Sequence, residues 1–122
     1  MIDDVTSFLL ITRHSPYGGS AAQETLDIAF AAGAFNQNFA VLFMDDGIYQ
    51  LMQDQNSDGL GQKNLSKTLP MLELYGASRL YVEQASLERR ELTPSDLVLD
   101  VEVLNESALR SLVNTSDIVF SG

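Results

Sequence analysis

Cysteine is missing from all 122 residues, so the chain can form no disulfide, bear no persulfide and offer no thiolate as nucleophile or metal ligand. Any sulfur chemistry beside it must use another chain's sulfur. Basic residues are scarce too: seven lysines and arginines face seventeen acids, a formal charge of −10 that favours solubility and repels nucleic-acid phosphates. Direct binding of RNA or DNA is disfavoured. No apolar run is long enough to span a bilayer, and the opening Met1-Ile2-Asp3-Asp4 lacks the basic start of a secretory signal. The expected location is the cytoplasm, away from membranes. What is present is a 45% hydrophobic composition, enough for one ordinary core at this length and too little for two. One domain over 1–122 is expected.

Continuous apolar runs alternate with helix-like segments. Phe8-Leu9-Leu10-Ile11 and Phe39-Ala40-Val41-Leu42-Phe43-Met44 have no polar alternate, the pattern of central strands covered on both faces. Between them Ala22, Leu26, Ala29, Phe30 and Gly33 recur at helical spacing, which predicts a crossover helix over about 20–34 and hence two parallel inner strands. The polar stretch 53–59 reads as a surface loop. Leu65, Leu69 and Leu72 share a helical stripe that Pro70 interrupts. A helix with Thr68 as N-cap and Gly76 at its C-terminal cap meets that constraint. A strand at Leu80-Tyr81-Val82 follows, then a helical turn over 86–90 ended by Thr93-Pro94. Val98 to Val103 alternate partly with acids, as in a strand near a sheet edge with one wet face. Asn105 is placed to cap a last helix carrying Leu109, Leu112 and Val113, and Ile118-Val119-Phe120 is a last strand. The expected architecture is α/β: a three-layer, flavodoxin-like domain with a mostly parallel five-stranded sheet and helices on both faces.

In such a sheet the loops after the first two strands open at one edge, where ligands and partners gather. The first loop is Thr12-Arg13-His14-Ser15-Pro16-Tyr17-Gly18-Gly19-Ser20; the second is Met44-Asp45-Asp46-Gly47-Ile48-Tyr49. A phosphate or flavin site in the first loop lacks both the GxGxxG fingerprint and a GxxxxGK[ST] loop, and Gly18-Gly19 more plainly allow a tight turn. A phosphoacceptor domain needs its acidic pair after the first strand and a lysine after the fifth; here Asp45-Asp46 follow the second strand and no lysine lies beyond Lys67. Metal binding by Asp45 and Asp46 is disfavoured because neighbouring side chains of an extended segment diverge. One aspartate capping a short helix over 47–52 is simpler. His14, Ser15, Ser20 and Tyr49 are the groups available for acid–base or nucleophilic chemistry, but a lone histidine beside serines is a common accident of sequence and reads first as a partly exposed loop or interface residue. Exposed aromatics such as Tyr17 and Tyr49 on edge loops often anchor protein interfaces. The run Leu87-Glu88-Arg89-Arg90-Glu91 reads as a solvated helical face with local ion pairs.

Pro16-Tyr17-Gly18, the helix ending near Ala34-Phe35, the string Val41 to Leu51 with its Asp-Asp-Gly-Ile-Tyr-Gln-Leu core, and Ala85-Ser86-Leu87-Glu88-Arg89 together resemble the DsrE/DsrF/DsrH-like sulfur-relay family, in particular its TusC/DsrF branch. The resemblance covers essentially the whole chain. One departure is Glu91, where relatives commonly place glycine. The resemblance implies a subunit of a cytoplasmic heterohexamer, two copies each of three related chains, with DsrE-like (TusD/DsrE) and DsrH-like (TusB/DsrH) siblings. Such a complex passes persulfide sulfur to a downstream TusE/DsrC-like carrier, for thiolation of the tRNA wobble uridine or for sulfur-oxidation metabolism. The relay cysteine of the family lies near the end of the third strand of the D or E subunit, a neighbourhood that here reads Leu80 to Ala85 with no sulfur. The resemblance therefore implies a non-catalytic partner subunit, without cofactor or metal, whose interface candidates are His14, Tyr17, Gly18, Gly19, Asp45, Asp46, Gly47 and Tyr49.

Overall fold

Five parallel strands form the frame of the computed structural model, which describes residues 7–15, 39–52, 77–97 and 101–122 together with positions 21, 24, 25, 27, 28 and 31. Strand β1 is Phe8–Thr12, β2 is Phe39–Phe43, β3 is Ala77–Glu83, β4 is Glu102–Leu104 and β5 is Ile118–Ser121. Their order across the sheet is β4-β3-β2-β1-β5, so the two most apolar strands sit inside, as their unbroken hydrophobic runs require. Every pairing between them is parallel, in registers such as Leu10↔Val41 and Leu10↔Phe120.

Alternate residues of the inner strands serve opposite faces. On one face Leu10, Val41, Phe43 and Val82 pack with Ile48, Leu51, Leu87 and Leu97, and Ile28 leans on this cluster. On the other, Leu9, Ile11, Leu42, Tyr81 and Leu104 pack beneath Leu109, Leu112 and Val113. Two covered faces explain why β1 and β2 carry no polar alternate before Thr12, and each fully buried leucine contributes about 2 kcal/mol through area removed from water. Positions 21, 24, 25, 27, 28 and 31 are helical, in keeping with the predicted crossover.

The remaining elements are short. A 3-10 helix, Asp45–Leu51, follows β2; helix α1, Gln84–Arg89, follows β3; a single 3-10 turn, Pro94–Asp96, precedes β4; and helix α2, Glu106–Thr115, joins β4 to β5. Asn105 caps α2 as predicted, its Oδ1 accepting the Ala108 N–H at 2.8 Å. Thr93 and Asp96 form a capping box around Pro94. The edge strand expected over 98–103 is observed as Glu102–Leu104, residues 98–100 lying outside the described set. The helix expected around Pro70 lies outside it as well. Among the described residues no helix is long and apolar enough to cross a membrane.

The turn after α1 accounts for the departure at Glu91. Its φ is 55°, the left-handed conformation that glycine adopts most cheaply. The Leu92 N–H donates to the Leu87 carbonyl at 3.0 Å and the Glu91 N–H to the Glu88 carbonyl at 3.1 Å. This is the double bond pattern of a Schellman cap, with Leu87 and Leu92 in one hydrophobic cluster.

Candidate functional site at the strand C-termini

Parallel pairing brings the ends of β1, β2 and β3 to one rim, and the first two loops meet there as the sequence predicts. The Met44 N–H donates to the Thr12 carbonyl at 3.1 Å. Gly47 rests directly against that peptide: a Cβ at this position would lie 2.2 Å from the Thr12 oxygen and 2.9 Å from its carbon. Backbone, unlike a flexible side-chain tip, cannot move aside, so the close approach itself demands glycine.

Gln50 joins the two loops from inside. Its side chain is fully buried, and its Nε2 donates to the Thr12 hydroxyl at 2.8 Å and to the His14 carbonyl at 2.9 Å. A buried amide is retained only where such partners exist; here they fix the path of the chain leaving β1. In the sequence Gln50 passes for a solvated polar residue, because its partners stand 38 and 36 positions away.

A second junction ties the 3-10 helix to α1. Asp45 has a φ of 51°, a conformation aspartate tolerates better than most residues. Its N–H donates to the Ser86 Oγ at 2.8 Å, and that wholly buried hydroxyl in turn donates to the Glu83 carboxylate. Arg90 then reaches across the gap: Nη2 donates to the Asp46 carboxylate at 2.8 Å, Nη1 to the Ser86 carbonyl at 3.1 Å, and the guanidinium stands 5.7 Å from the Tyr49 ring centroid. The Arg90 side chain is only 16% exposed whereas that of Asp46 is 60% exposed, so solvent still screens the ion pair, and the Arg90 guanidinium is held mainly by its place over Tyr49 and its bond to the Ser86 carbonyl.

Two expectations are corrected here. Neither aspartate caps the 3-10 helix; Met44 holds the cap position without a side-chain bond, and both aspartates lie in the first turn, where Asp45 engages Ser86 through its backbone and Asp46 engages Arg90. Nor is 87–91 simply a solvated face with local ion pairs. Leu87 is buried and Arg90 pairs with a residue 44 positions away. Arg89 comes nearer the expected picture, since it meets Asp45 only at 4.0 Å with both side chains well exposed.

Of the predicted site residues, the structure brings Asp45, Asp46, Gly47 and Tyr49 together on the 3-10 helix. His14 stands exposed beside them on the loop after β1. Tyr17, Gly18 and Gly19, with Pro16 and Ser20, lie outside the described residues. Thr12, Gln50, Ser86 and Arg90 were not signalled by any local pattern. Chemically, the Ser86 hydroxyl is sealed from solvent and bonded on both sides, which leaves it no access to a substrate. Among the described residues no group of three or more metal-ligating side chains converges.

The model of the DsrE/DsrF-like family matches residues 6–121. The intracellular sulfur oxidation protein DsrF of Allochromatium vinosum is 40% identical over 99% of both chains. A protein TusC homolog of Pseudomonas aeruginosa is 44% identical over 94% of this chain and 97% of its own. Among solved structures, the ychN protein of E. coli superposes with a TM-score of 0.82 at 17% identity, covering 97% of this chain and all of that one. At that identity the likeness speaks for the fold alone.

Proposed function

The chain belongs to the DsrE/DsrF-like family, and from that premise we propose that it is a non-catalytic subunit of a cytoplasmic sulfur-relay complex. It would hold DsrE-like and DsrH-like siblings in place while a sibling's cysteine carries the persulfide on its way to a TusE/DsrC-like carrier. The observation that carries this reading is the pairing of near full-length identity to DsrF and TusC proteins with a complete absence of cysteine. A chain without a thiolate can support a persulfide relay only through a neighbour's sulfur.

Among the described residues no strand lies beside β5 on its outer side, which supports an assembled state. Strand β5 leaves Ile118, Val119 and Phe120 exposed, with no charge or proline to protect the edge, which is a liability in a solitary chain. The proposed contact surface includes His14, Asp46 and Tyr49 on the rim. Delivery of the sulfur to the tRNA wobble uridine is the first reading of the pathway. A role in sulfur oxidation is the second, favoured by the identity to the Allochromatium protein.

Co-expression with the sibling subunits, followed by solution mass measurement, tests the proposal. A stable complex containing this chain is the expected result. A chain that purifies alone as a monomer while its siblings assemble without it would refute the subunit role.

A further inference from the structure

The loop leaving β1 combines a backbone held by several hydrogen bonds with two side chains, Arg13 and His14, that have no partner among the described residues. Arg13 and His14 follow the strand at which the sheet order reverses, with β2, β3 and β4 to one side and β5 to the other. This is the position at which open α/β sheets receive ligands. The backbone there is held from several directions. The Arg13 N–H donates to the Gly122 carbonyl at 3.1 Å, the Thr12 carbonyl accepts from Met44, and the His14 carbonyl accepts from buried Gln50 at 2.9 Å. Gly47 closes against the same peptide.

Both side chains are nevertheless exposed, and among the described residues neither makes an ion pair or a side-chain hydrogen bond. The acids of the rim do not neutralise them, since Asp46 is taken by Arg90, Glu83 by Ser86, and Asp45 faces Arg89. In a chain with a formal charge of −10 and only seven basic residues, a guanidinium without a partner among the described residues, beside the sole histidine and on a backbone fixed in advance, is a donor group left open to an anion. The fixed backbone sets where these donors start from, so that only side-chain rotamers remain to be ordered when an anion binds.

We propose that the Arg13 guanidinium, with the His14 ring beside it as a hydrogen-bond donor, forms a cationic contact for the sulfur anion, thiolate or persulfide, on the cysteine of a sibling subunit. This rests on the relay reading above and adds the residues that face the sulfur. A cation a few ångströms from a thiolate favours its charged form. Loss of the Arg13 charge therefore leaves less thiolate at neutral pH, an effect partly offset by the greater intrinsic reactivity of the more basic thiolate that remains.

The test uses the reconstituted complex with iodoacetamide as probe, following alkylation of the sibling cysteine by mass spectrometry across a pH series. Arg13→Gln is expected to slow alkylation at pH 7 by roughly three- to tenfold and to move the profile to higher pH, while Arg13→Lys restores it and the mass of the complex is unchanged. His14→Gln, which should act in the same direction, serves as the second variant if Arg13→Gln impairs assembly. A complex that forms normally, with profiles for Arg13→Gln and His14→Gln that superimpose on the unaltered one, overturns this inference and leaves the subunit reading standing. Failure of the unaltered chain to assemble overturns both.

Discussion

The rim above β1, β2 and β3 and the lateral edge at β5 belong to one sheet yet are finished in opposite ways. At the rim, four polar or charged side chains of the described residues are withdrawn from water: Thr12, Gln50 and Ser86 are fully buried, and the Arg90 side chain is 16% exposed. Each is committed to partners on a different loop. At β5, three apolar side chains stand in water, with Ile118 at 37%, Val119 at 42% and Phe120 at 39% exposed. Buried polar groups stabilise little on balance but are costly to orphan, so the rim specifies one geometry. The exposed apolar edge specifies nothing in the isolated chain and gains its value only when another surface covers it. The contrast is that of a region fixed before association and a region awaiting it.

Gly47→Val forces a side chain into the Thr12 peptide and should cost about 3 kcal/mol or abolish folding, read as the urea midpoint of the isolated chain. Gln50→Ala removes two buried hydrogen bonds and leaves the Thr12 hydroxyl without that donor; a loss of about 2 kcal/mol is expected by the same measurement. Ser86→Ala orphans the Asp45 N–H and frees the Glu83 carboxylate. It should cost about 1 to 2 kcal/mol, and slower refolding is not required. Glu91→Gly goes the other way, relieving the left-handed strain at the Schellman cap for a gain of about 0.5 to 1 kcal/mol, visible as a higher melting temperature. Val119→Lys at the open edge should change stability by less than about 0.5 kcal/mol. A large loss there would show that β5 is already packed against something in the isolated chain and would erase the contrast.

How much of this was legible in the sequence depended on the range of the interactions. The inner strands declared themselves because burial on both faces leaves no room for polar alternates, and Asn105 was readable as a cap because its partner Ala108 is three residues on. The meeting of the loops after β1 and β2 followed from parallel strands alone. The bonds that fix the rim did not, because Gln50 to Thr12, Asp45 to Ser86 and Arg90 to Asp46 each span 38 or more positions. No local pattern distinguishes such a residue from a solvated one. The left-handed Asp45 was likewise invisible, since an Asp-Asp-Gly turn reads more simply as a capped helix start. At Glu91 the resemblance to relatives marked the position through a missing glycine, and the backbone supplied the reason.

The central claim is that a cysteine-free chain contributes to a sulfur relay as a partner. It is tested most directly by measuring persulfide transfer from the cysteine-bearing sibling to the downstream carrier, in the complete complex and in one assembled without this chain. Transfer is expected to fall sharply when the chain is omitted and to return when it is added back. Equal rates with and without it would show that the chain has no part in the relay.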